Sequence, residues 1–137
     1  MSFVADHYCF ACGQDNPIGL KLQFRRDGEF YVTTFTAPPT LQGYHHIVHG
    51  GIVATLLDEI MARYVWELQG PSATAKLQVT YRRPAPVGQP LTVRGWVTGV
   101  HRGGKATETA AEIRLEDGTL IAEATGLIVR MARPPGG

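Results

Sequence analysis

Residues 49–68, HGGIVATLLDEIMARYVWEL, decide the fold of this chain. Their apolar side chains recur at spacings of three and four, which is the period of one face of an α-helix. Gly70 and Pro71 interrupt the pattern, and such a pair commonly ends a helix. The spacing therefore predicts one long and largely apolar helix over residues 50–68.

On both sides of this helix, apolar and polar residues alternate with the period of half-buried strands. Residues 20–26 and 30–36 form one pair across an Asp27-Gly28 turn. Four further strands are predicted at residues 75–81, 91–100, 105–115 and 120–130. We therefore predict an α+β fold, in which an antiparallel sheet of five to six strands wraps around one central helix. Its open edges favour dimerisation.

The composition is that of an ordinary globular chain, with 44% hydrophobic and 18% charged residues in 137. This length predicts one domain over residues 1–137, with the first 15 or so residues and the Pro/Gly tail outside the core. The net charge of +1 does not favour nucleic acid as a partner. No apolar run reaches the roughly 18 residues of a membrane span, and no signal peptide is recognisable. We expect a cytoplasmic protein.

The helix carries two adjacent carboxylates in different settings. On a helical wheel, Asp58 lies at the edge of the apolar arc, and Glu59 lies on the polar side, where it can pair with Arg63. The small residues Ala54 and Ala62 leave room for a ligand beside Asp58. A half-buried carboxylate with open space beside it is suited to general-base work. The alternative is a boundary carboxylate that meets an arginine from a strand.

Gly50 and Gly51 stand where the helix begins, so their N–H groups lack intrahelical acceptors and lie at the positive end of the helix dipole. Such amides can bind a carbonyl oxygen as negative charge develops on it. The alternative is a turn that merely requires flexible residues. His49 could cap the turn, orient a water molecule or fill space.

Four segments carry a resemblance to a known family. They are CFACGQDNPIGL (9–20), QGY (42–44), HGGIVATLLDE (49–59) and TAKLQVTYRRP (74–84). The chain resembles the PaaI-like branch of the hotdog-fold thioesterase superfamily over nearly its whole length. The resemblance implies hydrolysis of an acyl-CoA to free acid and coenzyme A, with no metal or other cofactor. It also implies a homodimer with edge-to-edge sheets and active sites between subunits, or a tetramer of two such dimers.

The same resemblance assigns roles to individual residues. Asp58 would be the catalytic carboxylate, acting as the nucleophile or as the base for a water molecule. The Gly51 amide, with Gly50, would polarise the thioester carbonyl beside His49. Thr74 would orient the water molecule from the other subunit.

The chain departs from the family pattern at one position, and a second does not fit the strand pattern. Gly43 stands where some relatives carry an asparagine, and His45 or His46 could replace that polar contact. Thr74 shares its strand parity with the polar Lys76, so simple alternation does not predict that it faces the core.

Two basic segments could hold the phosphates of coenzyme A. The first is the turn Arg102-Gly103-Gly104-Lys105, because hotdog thioesterases often bind phosphates at this connection. Arg82 and Arg83 are the second. The alternative for both is a set of solvated charges.

The Cys9-x-x-Cys12 pair invites a zinc interpretation, but a structural zinc site needs four ligands and no second cysteine pair exists. We therefore predict no metal site, and a loop that lies over the core or the substrate entrance. Two other functions stay open on the same fold: a non-catalytic acyl-CoA sensor or carrier-binding module, and a hydroxyacyl or enoyl thioester dehydratase. The dehydratase motif, with its close Asp and His, is not found.

Overall fold

The computed structural model describes residues 4–131. Two strands come first, β1 (Arg25–Asp27) and β2 (Phe30–Thr36), and the helix α1 (Gly50–Gln69) follows. The other four strands are β3 (Ser72–Tyr81), β4 (Pro90–His101), β5 (Ala106–Leu115) and β6 (Leu120–Arg130). The predicted helix and the last five predicted strands are confirmed to within a few residues at their ends.

The six strands form one antiparallel sheet in the order β1-β2-β4-β5-β6-β3. Helix α1 packs along one face of this sheet and contacts strands β2 to β6. The predicted sheet wrapped around one central helix is therefore confirmed. Strands β1 and β3 form its two edges, and β3 lies beside the helix.

The core lies between the helix and the sheet. Leu56, Leu57, Ile60 and Met61 of the helix are each 0% exposed. Burial of a side chain of this size contributes about 1.5–3 kcal/mol, so this row holds the helix on the sheet. Gly95 of β4 permits the close approach, because a Cβ there would lie 3.2 Å from the Cγ2 atom of Ile60.

The first predicted strand is much shorter than expected. Only residues 25–27 pair with the sheet, although Leu22 is buried as the alternation predicts. The preceding backbone pairs with the N-terminal loop instead: the Leu20 N–H donates to the Phe10 carbonyl and the Leu22 N–H to that of Ala11. Lys21, between them, has a positive φ of 55°, which breaks the extended conformation.

The N-terminal segment also differs from the prediction that it lies outside the core. Ala11 is only 4% exposed and belongs to the core cluster. The reason is the backbone pairing above, which seats the loop on the open side of the helix. The Pro/Gly tail at 133–137 lies outside the described residues. Within residues 4–131, no helix combines the length and the apolar character that a membrane crossing needs.

Candidate active site

The central feature of the site is a hydrogen bond between the helix and strand β3. The Thr74 hydroxyl donates to the Asp58 carboxylate across 2.7 Å, and both side chains are half-buried. A hydroxyl bonded to a carboxylate fixes the direction of that carboxylate and leaves its second oxygen available. The structure therefore brings together the two residues proposed from the sequence as carboxylate and orienting hydroxyl.

Thr74 faces the helix because strand β3 contains a β-bulge. The pairing register with β6 shifts between Thr74 and Lys76, which leaves Ala75 as the extra residue. Thr74 pairs with Ile128, a core residue that is 0% exposed, whereas Lys76 points outward. The bulge reverses the side-chain alternation and so explains why the parity of the sequence was misleading.

One expectation about Thr74 is corrected. The resemblance implied that its hydroxyl comes from the other subunit, but it contacts Asp58 of its own chain. This follows from the topology, because the short turn after α1 returns β3 directly alongside the helix.

The start of the helix shows what His49 does. Its Nδ1 atom accepts a hydrogen bond of 2.8 Å from the Gly51 N–H, so His49 is the N-cap of α1. The Gly51 amide, predicted as the main donor to a thioester carbonyl, is therefore occupied. The Gly50 N–H has no acceptor within residues 4–131. Gly50 is the amide that the structure leaves available.

Tyr81 was not identified from the sequence, although it ends the strand whose other end carries Thr74. Its hydroxyl donates to the Gly50 carbonyl across 2.8 Å and so links β3 to the helix start. The sequence pattern could not reveal this role, because the role of Tyr81 comes from its contact with the helix start and not from the alternation of the strand.

A cleft of about 640 Å³ opens beside the helix start. His49, Gly50, Tyr81, Arg82 and Arg83 are among the residues that line it. Asp58 is not among its lining residues. The remaining lining residues are Gly43, Tyr44, Ile47, Val48, Val53, Pro84 and Ala85. The lining is thus mainly apolar and includes two arginines, which suits an acyl or pantetheine chain joined to phosphates.

A single chain does not bring Gly50 and Asp58 to one carbonyl group. Eight positions separate them on α1, which corresponds to a rise of about 12 Å. An amide and a carboxylate that act on the same carbonyl each need contact at about 3 Å. The helix start and the Asp58–Thr74 pair are therefore two half-sites in this chain.

The two basic segments lie at opposite ends of the helix. Arg82 and Arg83 line the cleft, and Arg82 also forms a partly exposed ion pair of 3.2 Å with Glu123. The turn at residues 102–105 instead approaches the helix end. A Cβ at Gly104 would lie 3.1 Å from the Gln69 side-chain oxygen. Of the two basic segments proposed from the sequence, the pair Arg82 and Arg83 is therefore the one that borders the cleft.

Gly43 has a packing reason to be a glycine. A Cβ at this position would lie 3.3 Å from the Cα atom of His49, so a larger residue would press on the N-cap. His45 and His46, proposed as replacements for a missing asparagine, are exposed and their rings lie 3.7 Å apart. Neither lines the cleft.

The predicted pairing of Glu59 with Arg63 is wrong. No ion pair within the described residues includes Glu59. Its Oε1 atom lies 4.0 Å from the Cys9 thiol instead, and the Cys12 thiol lies close to both groups. The N-terminal loop covers this side of the helix, which the helical wheel had predicted to face solvent. Burial raises the pKa of Glu59, and burial together with the Glu59 carboxylate raises the pKa of Cys12.

Comparison with known proteins identifies the family. The model of the thioesterase superfamily matches residues 45–122, which include the helix and both half-sites. The chain belongs to the thioesterase superfamily. The fold is the hotdog fold predicted from the sequence, and the PaaI-like resemblance is confirmed.

Individual members of the thioesterase superfamily are similar to this chain. The acyl-coenzyme A thioesterase THEM4 of Xenopus laevis is 31% identical over 73% of this chain and 45% of its own length. The chain thus spans less than half the length of the curated relatives it matches. A crystal structure of the thioesterase superfamily protein RHA08564 has 29% identity and a TM-score of 0.82, covering 90% of this chain and 63% of that one.

The PaaI protein from the phenylacetic acid degradation operon of Escherichia coli is a further structural relative. It is 25% identical with a TM-score of 0.71, and the alignment covers 81% of this chain and 84% of that protein.

Proposed function

We propose that this thioesterase-superfamily chain hydrolyses an acyl-CoA to the free acid and coenzyme A. The observation that carries the proposal is the half-buried Asp58 carboxylate, oriented by the Thr74 hydroxyl at 2.7 Å. Its similarity to an acyl-coenzyme A thioesterase supports coenzyme A as the thiol. A cytoplasmic location is part of the proposal, since Cys9 and Cys12 are free thiols and the cytosol keeps thiols reduced.

The proposed active site requires two copies of the chain, because the half-sites of one copy lie about 12 Å apart along the helix. Strand β3 offers the surface for a second copy. Its outer edge has no strand partner among the described residues, and it leaves Leu77 39% and Tyr81 53% exposed. An open edge with exposed apolar side chains favours pairing with another strand.

The contacts of β3 support one register for such a dimer. We propose that two β3 strands pair in antiparallel orientation about a two-fold axis near Gln78. Ala75 is the extra residue of the bulge and is skipped in the pairing, so Thr74 lies opposite Tyr81 of the partner subunit. Tyr81 is bonded to Gly50 in each chain, so Gly50 of the partner subunit comes close to Asp58.

In this site the Gly50 amide of one subunit binds the thioester oxygen and stabilises the negative charge of the tetrahedral intermediate. Asp58 of the partner subunit either removes a proton from water as it adds to the carbonyl carbon, or attacks that carbon itself. The carbon–sulfur bond then breaks and coenzyme A leaves as a thiolate that takes up a proton. In the second route, water hydrolyses the acyl-aspartate anhydride. Neither route needs a metal or redox cofactor.

Both basic segments can serve one coenzyme A in this arrangement. Arg82 and Arg83 border the cleft at the helix start that supplies Gly50. The turn at residues 102–105 lies at the end of the helix that supplies Asp58. Charge-assisted hydrogen bonds from either segment would hold phosphates away from the reacting carbon.

A non-catalytic acyl-CoA binder is the second candidate. It is favoured by the single-chain geometry, in which His49 occupies the Gly51 amide and Asp58 lies outside the cleft. Thiol release separates the two functions: the purified chain should release free coenzyme A from at least one member of a panel of short, long and aryl acyl-CoAs. Binding without release would favour the second candidate.

A complementation experiment tests the two-subunit site. Gly50→Pro removes the free N–H, and adds a ring, at a helix position where proline is well tolerated; Gly50→Ala keeps that N–H and controls for the added Cβ. Gly50→Pro should lower kcat about 100- to 1,000-fold, as loss of an oxyanion donor does. Asp58→Asn should also be nearly inactive. Gly50→Ala should stay within about threefold of the original chain, since its Cβ makes ordinary contacts.

Mixing the two inactive variants gives the decisive result. If Asp58→Asn and Gly50→Pro chains are unfolded and refolded together, half of the dimers are mixed, and each mixed dimer holds one intact site. Activity should recover to about a quarter of the original value. Activity that stays at the level of the separate variants would show that one chain supplies both groups.

A further inference from the structure

The cluster of Cys9, Cys12 and Glu59 has no part in the proposed chemistry. The loop brings two thiols onto a carboxylate that lies 50 positions away in the sequence, on helix α1. The Sγ atoms and a carboxylate oxygen all lie within 4.8 Å of one another, and Cys9 Sγ is 4.0 Å from Glu59 Oε1. Cys9 is exposed, whereas the other two are half-buried.

The loop is built to hold the two thiols together. The Gly13 N–H donates to the Cys9 carbonyl across 2.8 Å, which closes a tight turn around the cysteine pair. Only glycine fits at position 13, because a Cβ there would overlap the backbone nitrogen of Cys9. Ala11, between the cysteines, is buried in the core and anchors the turn against the helix.

We propose that Cys9, Cys12 and Glu59 bind one zinc ion, with the fourth position open to water on the side of the exposed Cys9. Thiolate sulfur and carboxylate oxygen are zinc ligands, at about 2.3 Å and 2.0–2.2 Å. A tetrahedral ion with these bond lengths needs a separation of about 3.8 Å between two sulfurs, and about 3.5 Å between sulfur and oxygen. The observed 4.0 Å between Cys9 and Glu59 is close to this value.

The predicted absence of a metal rested on the four ligands that a structural zinc site needs and on the lack of a second cysteine pair; in the proposed site, water completes a set of three protein ligands. The structure supplies Glu59 as a third ligand. A count of cysteines and histidines could not reveal it, because it is a carboxylate and lies on the helix, far from the cysteines in sequence. The ion would tie the N-terminal loop to α1 beside Asp58 and would stabilise the folded chain without entering the hydrolysis.

Metal binding by the purified full chain tests this site directly. The chain is reduced, stripped with a chelator and titrated with Zn²⁺ or Co²⁺, and the bound metal is counted by atomic emission. We expect one ion per chain, a sulfur-to-cobalt charge-transfer band and the strong d–d bands of tetrahedral Co²⁺. Zn²⁺ at roughly 100 times Kd should raise Tm by about 5–10 °C.

Single variants locate the site on these three residues. Cys9→Ser, Cys12→Ser and Glu59→Gln should each weaken Zn²⁺ binding at least about tenfold, since each removes one ligand of three. Glu67→Gln, an exposed carboxylate two turns further along the same helix, is the matched control and should bind like the original chain. The Tm of each stripped variant shows whether it is folded.

Three results would overturn the proposal. The first is a folded, reduced chain that binds no Zn²⁺ and shows no charge-transfer band. The second is a set of variants of the three residues that bind as tightly as the original. The third is a chain lighter by two hydrogen atoms when purified without reductant, which binds no metal after reduction. That result would assign the cysteines to a disulfide instead.

Discussion

Replacement of Thr74 by valine tests the centre of the proposed site. Valine has nearly the shape of threonine but lacks the hydroxyl that donates to Asp58 across 2.7 Å. Both residues are half-buried, so water can replace part of the lost contact and the fold should survive. The substitution therefore isolates the orientation of the carboxylate.

The size of the effect follows from the type of hydrogen bond. A hydrogen bond to a charged group contributes a net of about 1.5–3 kcal/mol. If the catalytic step requires the oriented carboxylate, this energy is lost from transition-state stabilisation. At about 1.36 kcal/mol for each factor of ten, Thr74→Val should lower kcat/KM about 10- to 150-fold.

The assay is release of free coenzyme A, detected with a thiol reagent, on the best substrate of the acyl-CoA panel. Thr74→Ser is the matched control, because it keeps the hydroxyl, and it should retain most of the activity. In an Asp58→Asn background, Thr74→Val should cause little further loss, since the interaction is already disrupted. Thr74→Val with kcat/KM within about twofold of the original chain would refute the proposed orienting role.

Two further predictions concern stability and the helix start. Burial opposes the charge of Glu112, but Arg114 and Arg94 at 3.1 and 3.0 Å hold its pKa below its ordinary value. Its contribution is therefore present above the pKa of the unfolded chain and is lost as pH falls through the lower folded pKa. Glu112→Gln should lower the free energy of unfolding in urea by about 1–2 kcal/mol at pH 7, and by progressively less as the pH is lowered below 4. A loss below pH 4 equal to the loss at pH 7 would contradict this. Tyr81→Phe should lower kcat/KM about 2- to 12-fold, since a neutral hydrogen bond to Gly50 contributes about 0.5–1.5 kcal/mol. Because the same bond links β3 to the helix start, Tm should fall by only a few degrees; full activity would argue against its positioning role.

The fold could be predicted because its elements have clear periods. The apolar spacing of residues 49–68 predicted a helix over 50–68, and α1 spans Gly50–Gln69. The alternation that follows predicted strands β3 to β6, and in β4, β5 and β6 buried positions do alternate with more exposed ones. Residues 20–24 were misassigned because burial against a loop produces the same alternation as burial in a sheet.

The site was harder to predict because its details depend on local irregularities. The bulge at Ala75 turns Thr74 inward, and no residue type in the strand predicts that bulge. The imidazole of His49 takes the Gly51 amide, which a sequence motif cannot distinguish from the free amide of Gly50. Glu59 lies on the polar side of the wheel, yet the N-terminal loop covers it.

The separation of the half-sites follows from the sequence alone. A helix with Gly50 at its start and Asp58 eight positions later must place them about 12 Å apart, whatever surrounds it. The family motif therefore cannot describe one contiguous site in one chain, and a second copy is the simplest source of the missing half. In the proposed dimer, β3 is the strand that relates the two copies, because it contacts Asp58 through Thr74 at one end and Gly50 through Tyr81 at the other. An antiparallel pair of such strands exchanges the two ends, so each active site would combine the start of one helix with the middle of the other.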